Sequence, residues 1–200
     1  MATKILRLDT SVFSEQGSSS RLNQALTEKL SRIYGDVEIR HRDLAREPLP
    51  HFSAKVIGAI QTAADARTSE QTKLAALADE LIAELFAADI VVIAAPMYNF
   101  GIPSTLKAWI DYVARAGVTF RYTADGPEGL VKGKTIYLVT TRGGVHKDQQ
   151  TDCEIPYLQT YFNFLGITDI RTIYAEGLGM SNKDEQFAAA LASIDELVAA

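Results

Sequence analysis

Short apolar runs alternate with amphipathic stretches from one end of the chain to the other. Lys4 to Asp9 sets Ile5, Leu6 and Leu8 in a first strand, which turns polar at Thr10. Ser20 to Tyr34 repeats Leu22, Leu26, Leu30 and Ile33 at helical spacing and stops at Gly35. Val37 to His41 predicts a second strand, and Arg42 to Pro50 a connection containing prolines. Ser53 to Ala66 is weakly helical. Thr68 to Ala87 is a firmer helix, with Thr68 and Gln71 spaced as a capping box and Leu74, Leu77, Ala78, Leu81 and Leu85 on one stripe. Ile90 to Ala95 is unbroken and rich in β-branched residues, the pattern of a strand buried on both faces. Pro103 and Ser104 then open a helix through Thr105 to Tyr112. Lys134 to Thr141 is the fourth strand, Pro156 to Leu165 a helix, Ile167 to Tyr174 the fifth strand and Lys183 to Val198 the last helix.

Ala114 to Gly129 breaks this rhythm. Val118 to Tyr122 alternates and Asp125-Gly126-Pro127 signals a turn, so the segment predicts a protruding strand or hairpin. Phe120 and Tyr122 would leave an apolar patch exposed there unless a partner subunit, a planar ligand or their own domain covers them.

Five strands alternating with helices predict one α/β domain over residues 1–200: a parallel sheet with helices on both faces, three layers in all. The doubly wound, flavodoxin-like order 2-1-3-4-5 sets strands one, three and four side by side. Ligands then bind in the crevice at their carboxyl ends. Three loops meet at that rim. Ser11 to Ser19, with Ser14, Gly17, Ser18 and Ser19, precedes a helix, whose free N–H groups and dipole favour a phosphate. The same serines also suit a flexible loop ending in an N-cap. Met97, Tyr98, Asn99 and Phe100 follow the central strand and would flank a flat ring. Thr141, Arg142, Gly143 and Gly144 follow the fourth strand, and the glycine pair would bring backbone N–H donors close to a ligand. His146 stands just beyond, placed either to donate a proton to a bound oxygen or as a polar loop residue.

Composition narrows the partners. A formal charge of −5 without a Lys/Arg cluster offers no footprint for nucleic acid or an anionic membrane. No apolar run reaches the roughly 20 residues of a membrane span, and the amino-terminal residues lack a signal-peptide pattern. A single cysteine, Cys153, forms no internal disulfide, and His41 and His51 have no metal-ligand spacing, so no metal is expected. A cytoplasmic protein acting on small molecules is expected. There is no P-loop motif, and Gly177-Leu178-Gly179 lacks the third glycine of a dinucleotide fingerprint. A receiver-type phosphoacceptor is also missing, because Ala95-Pro96-Met97 holds the place of its Asp.

The blocks Ala94-Ala95-Pro96-Met97-Tyr98-Asn99-Phe100, Ala114 to Tyr122, Gly126-Pro127-Glu128-Gly129-Leu130 and Arg142-Gly143-Gly144 resemble the bacterial FMN-dependent NADH azoreductases, a family that also reduces quinones. The resemblance runs over nearly the whole chain and is looser in the Ser-rich turn. It implies an FMN-dependent oxidoreductase that moves a hydride from NADH or NADPH through the flavin to quinones, azo compounds or nitroaromatics in two alternating half-reactions. Ser11, Gly17, Ser18 and Ser19 would hold the FMN phosphate, Met97, Tyr98, Asn99 and Phe100 the ribityl chain and ring, and Thr141, Arg142, Gly143 and Gly144 the pyrimidine end. His146 would border the ring, and Phe120 and Tyr122 would reach into the other active site of a homodimer. The competing expectation is a non-catalytic FMN electron carrier serving a protein partner.

Overall fold

The computed structural model describes residues 2–199. Its parallel sheet comprises β1 (Thr3–Asp9), β2 (Val37–Asp43), β3 (Ile90–Pro96), β6 (Thr135–Thr141) and β7 (Asp169–Ala175), in the order β2-β1-β3-β6-β7. β4 (Phe120–Thr123) and β5 (Gly126–Gly129) form a separate antiparallel hairpin. With the hairpin set aside, the sheet strands run 2-1-3-4-5 in chain order.

Every residue of β3 is buried, as its apolar run requires at the middle of the sheet. Alternation then sends its side chains to two cores. Val91, Ile93 and Ala95 meet residues of α3 (Ser69–Ala87), α4 (Ser104–Val113) and α5 (Glu154–Leu165). Ile90 and Val92 face α1 (Ser18–Tyr34) and α6 (Lys183–Ala199). The capping box at the head of α3 is formed, with the Gln71 N–H donating to Thr68 Oγ1 and the Thr68 N–H to Gln71 Oε1. Glu80 and Glu84 of that helix pair with Arg40 and Arg42 on the edge strand β2.

Some boundaries differ from the sequence reading. The weak helix contracts to α2 (Ala54–Gln61) with a 3-10 turn at Ala64–Ala66. On α1 the buried stripe is Leu22, Leu26 and Leu30, joined by the polar Ser19, Asn23 and Thr27, while Ile33 is half exposed. Asn23 explains the polar intrusion: its amide donates to Leu8 O and Asp9 Oδ1, tying the helix to the end of β1. The predicted protrusion is a hairpin, but Phe120 lies in its own chain's core, 4.5 Å from the Phe164 ring. Phe120 is mostly covered by its own chain, and Tyr122, 75% exposed, is the aromatic that projects.

Candidate functional site

The carboxyl ends of β1, β3, β6 and β7 open onto a cleft of about 250 Å³. Ser11, Ser18, Ser19, Met97, Tyr98, Thr141, Arg142 and Gly143 all line it. Of the sequence-predicted residues, Gly17, Asn99, Phe100, Gly144, His146, Phe120 and Tyr122 do not line this cleft. Phe13, Pro96, Leu178 and Gly179 do, and the sequence reading missed them. The signal for the last two was present: β7 neighbours β6, so the Gly177-Leu178-Gly179 turn falls on the same rim.

At one end of the cleft, β1 is fixed before it turns. Asp9 is buried and accepts hydrogen bonds from Arg7, Asn23 and, through its ring nitrogen, His41. Burial alone would raise its pKa, but the hydrogen bonds of His41 and Asn23 and the Arg7 charge outweigh it and hold the carboxyl below its ordinary value. The Thr10 hydroxyl donates to Ala94 O at 2.6 Å, pinning the turn against β3. Gly17 then passes so close to Ser11 that a Cβ would lie 2.2 Å from Ser11 Oγ. This contact sets the first turn of α1 beside Ser11, and no side chain caps that turn. The Ser19 and Ser20 hydroxyls are buried and have no hydrogen-bond partner among the described residues. Of the two, Ser19 lines the cleft, and a phosphate group there satisfies both its unpaired hydroxyl and the dipole of the uncapped helix N-terminus.

The middle wall is a tight turn. Tyr98 and Gly101 exchange backbone hydrogen bonds at 2.9 and 3.0 Å, with Asn99 and Phe100 between them at φ 49° and 67°. Positive φ at both central residues is the habit of a type I′ turn, suited to Asn and strained for Phe by about 1 kcal/mol or more. The strain holds the Phe100 ring 54% exposed, edge-on to His146 at 5.8 Å. Tyr98 also bridges two walls, its hydroxyl accepting the Val12 N–H at 3.2 Å. The far side of this turn faces a larger cavity, about 610 Å³, lined by Phe52, Phe100, Ile102, Ala108 and Tyr157 among others. Size favours that cavity, yet the unpaired Ser19 hydroxyl and the backbone of Gly143 line the smaller cleft, which is therefore the candidate cofactor site.

Arg142 does not present its charge to the cleft. Its side chain is fully buried, reaching Asp152 at 2.6 Å, Glu176 at 3.2 Å and Glu154 at 3.5 Å. Its contribution to the cleft wall is thus backbone, not guanidinium. Of the three carboxylates only the most distant is fully buried, and burial pushes Glu154 up to about 7, against the opposing pull of Thr140 and Arg142. His146 folds back over the loop, its Nε2 so near Gly144 that a Cβ there would lie 2.9 Å away, and its Nδ1 is 2.9 Å from Thr151 Oγ1.

Among known proteins, a family model described as flavodoxin-like fold matches residues 3–198. The FMN-dependent NADH:quinone oxidoreductase 6 of Burkholderia lata is 48% identical over 198 residues, 99% of each chain. The FMN-dependent NADH:quinone oxidoreductase of Cellvibrio japonicus is 45% identical over 200 residues, 100% of each. A solved azoreductase from Bacillus anthracis str. Sterne superposes with a TM-score of 0.88 at 30% identity, covering 97% of both chains. An FMN-dependent NADH-azoreductase of Bacillus anthracis str. Ames Ancestor, solved in complex with FMN, gives 0.88 at 25% identity and the same coverage. Over its whole length, then, the chain belongs to the flavodoxin-like-fold family that includes these FMN-dependent NADH:quinone oxidoreductases.

Proposed function

We propose that the protein is an FMN-dependent NADH:quinone oxidoreductase that also accepts azo compounds and nitroaromatics. The observation that carries this reading is the chemistry at the two ends of one cleft. The unpaired Ser19 hydroxyl and the α1 N-terminus stand at one end, and the backbone of Thr141 to Gly143 stands at the other. A phosphate-bearing flat cofactor needs that polarity. The relatives' names supply the cofactor and the electron donor.

In this reading Ser11, Gly17, Ser18 and Ser19 bind the phosphate, Met97 and Tyr98 flank the ribityl chain and ring, and Thr141 to Gly144 meet the pyrimidine edge. Asn99 and Phe100 border the ring from the strained turn. When bound, FMN supplies hydride transfer from the nicotinamide to the acceptor. The chain's own residues bind, orient and exclude water. Backbone N–H groups at the ring edge stabilise negative charge there, and His146 holds a proton at its imidazole for delivery to a quinone oxygen or azo nitrogen.

Phe100 and Tyr122 are large exposed aromatics, and the apolar cavity beside Phe100 opens on α4 and α5. A second copy of the chain covers them in this reading, with Tyr122 contributing to the partner's site. Cytoplasmic location is proposed with it: Cys153 is an exposed free thiol, and no described helix is long and apolar enough to cross a membrane. NADH and acceptor use one space by turns, so double-reciprocal plots at varied acceptor are expected to be parallel. Lines that intersect would contradict the shared site, and FMN uptake without oxidation of NADH would favour an electron carrier.

A further inference from the structure

The loop after β6 has had its backbone sorted by polarity. The carbonyls of Arg142, Gly143 and Gly144 each accept a hydrogen bond from the turn after β7, from Leu178, Gly179 and Gly177 at 3.0, 2.9 and 2.9 Å. Further along, the N–H groups of His146 and Lys147 donate to Glu176 Oε1 at 2.7 and 2.8 Å. The N–H groups of Gly143 and Gly144 donate to no protein group among the described residues. What remains for a ligand at this wall is therefore an edge of donors with its carbonyls turned away.

One carboxylate oxygen sits at the centre of this arrangement. Glu176 Oε1 takes both amide donors and also the Arg142 Nη1 at 3.2 Å, so the buried guanidinium fixes the carboxylate and the carboxylate fixes the loop. Glu176 directly precedes Gly177, and the Arg142 N–H donates in turn to Ala175 O. Charge-assisted bonds of this kind hold geometry more firmly than neutral ones.

We propose that Glu176 is the positioning residue of the ring-edge wall, holding the loop after β6 so that the Gly143 N–H faces the flavin. Glu176 touches no cofactor in this role; it acts through His146, Lys147 and Arg142. The inference rests on the FMN reading above and extends it to a residue on the last sheet strand's turn.

Binding of FMN and of riboflavin, which lacks the phosphate, separates the two claims. Wild-type protein that takes up neither flavin would sink the underlying reading itself. Given wild-type uptake, Glu176→Ala is expected to weaken both flavins by the same factor, tenfold or more, with Glu176→Gln recovering part of the loss because its amide oxygen still accepts. Ser19→Ala, acting at the phosphate, is expected to weaken FMN and leave riboflavin unchanged. Amide hydrogen exchange in the absence of flavin gives a second readout. In Glu176→Ala the amides of His146 and Lys147 should exchange faster while those of β3 keep wild-type protection. Wild-type affinity for both flavins in Glu176→Ala, loss confined to FMN, or faster exchange spread evenly over the sheet would each overturn the proposal.

Discussion

Replacing Glu154 by Gln should stabilise the protein above neutral pH and lose that advantage in mild acid. The Glu154 side chain is fully buried, with Oε2 2.8 Å from Thr140 Oγ1 and 3.5 Å from Arg142 Nε, while Oε1 has no partner among the described residues. Burial carries its pKa from 4.5 up to about 7. The folded state therefore binds this proton more tightly than the unfolded chain does. The penalty is absent below the unfolded value, grows as pH rises between the two, and is complete above about 7. At about 1.4 kcal/mol per pH unit, that interval corresponds to destabilisation on the order of 3 kcal/mol. Gln keeps the shape and the acceptor for Thr140 but never ionises, and Arg142 retains Asp152 and Glu176. Urea unfolding of both proteins at about pH 5 and about pH 8 measures this, since titrating groups remote from Glu154 cancel in the difference. The variant's advantage should be about 2–3 kcal/mol larger at the higher pH. An advantage equal at both pH values would refute the reasoning.

Asp9 gives the opposite sign: its carboxyl is held below its ordinary 3.8, so its contribution is present above that value and is lost as pH falls below it through the lower folded value. Asp9→Asn should destabilise by about 3 kcal/mol near neutrality, by leaving Arg7 without its buried partner, and by little in strong acid; a pH series of urea midpoints checks it. Gly17→Ala should weaken FMN binding by tenfold or more and lower stability by about 1–3 kcal/mol, because the new methyl displaces Ser11; flavin fluorescence titration and chemical denaturation read the two effects. Tyr122→Ala should leave stability within about 0.5 kcal/mol of wild type, as its side chain is mostly exposed, while weakening self-association in sedimentation velocity.

The parts legible in the sequence were those whose signals are local. The apolar run of β3 and the Thr68–Gln71 capping box each announce a structure through neighbours in the chain, and each lies where its pattern placed it, while Ser18 and Ser19, read as loop, form the first turn of α1. The inward turn of Arg142 was not legible. An Arg before two glycines at a strand end reads as a cation offered to a ligand. The carboxylates that bury it come from the approach to α5 and from the end of β7, so only the fold brings them together. The packing of Phe120 was not legible for a similar reason, since alternation exposes one face of a hairpin without saying that Phe164 packs on it. Leu178 and Gly179 were overlooked because the glycine pair was weighed as a dinucleotide fingerprint and not as the neighbour of the β6 loop.

The central claim is most directly tested by loading the protein with FMN, removing oxygen and adding NADH, then a quinone. The flavin's visible absorbance should bleach on NADH addition and return in full when the quinone follows, with one equivalent of each consumed per flavin. A flavin that binds stoichiometrically but keeps its colour under excess NADH would contradict the account.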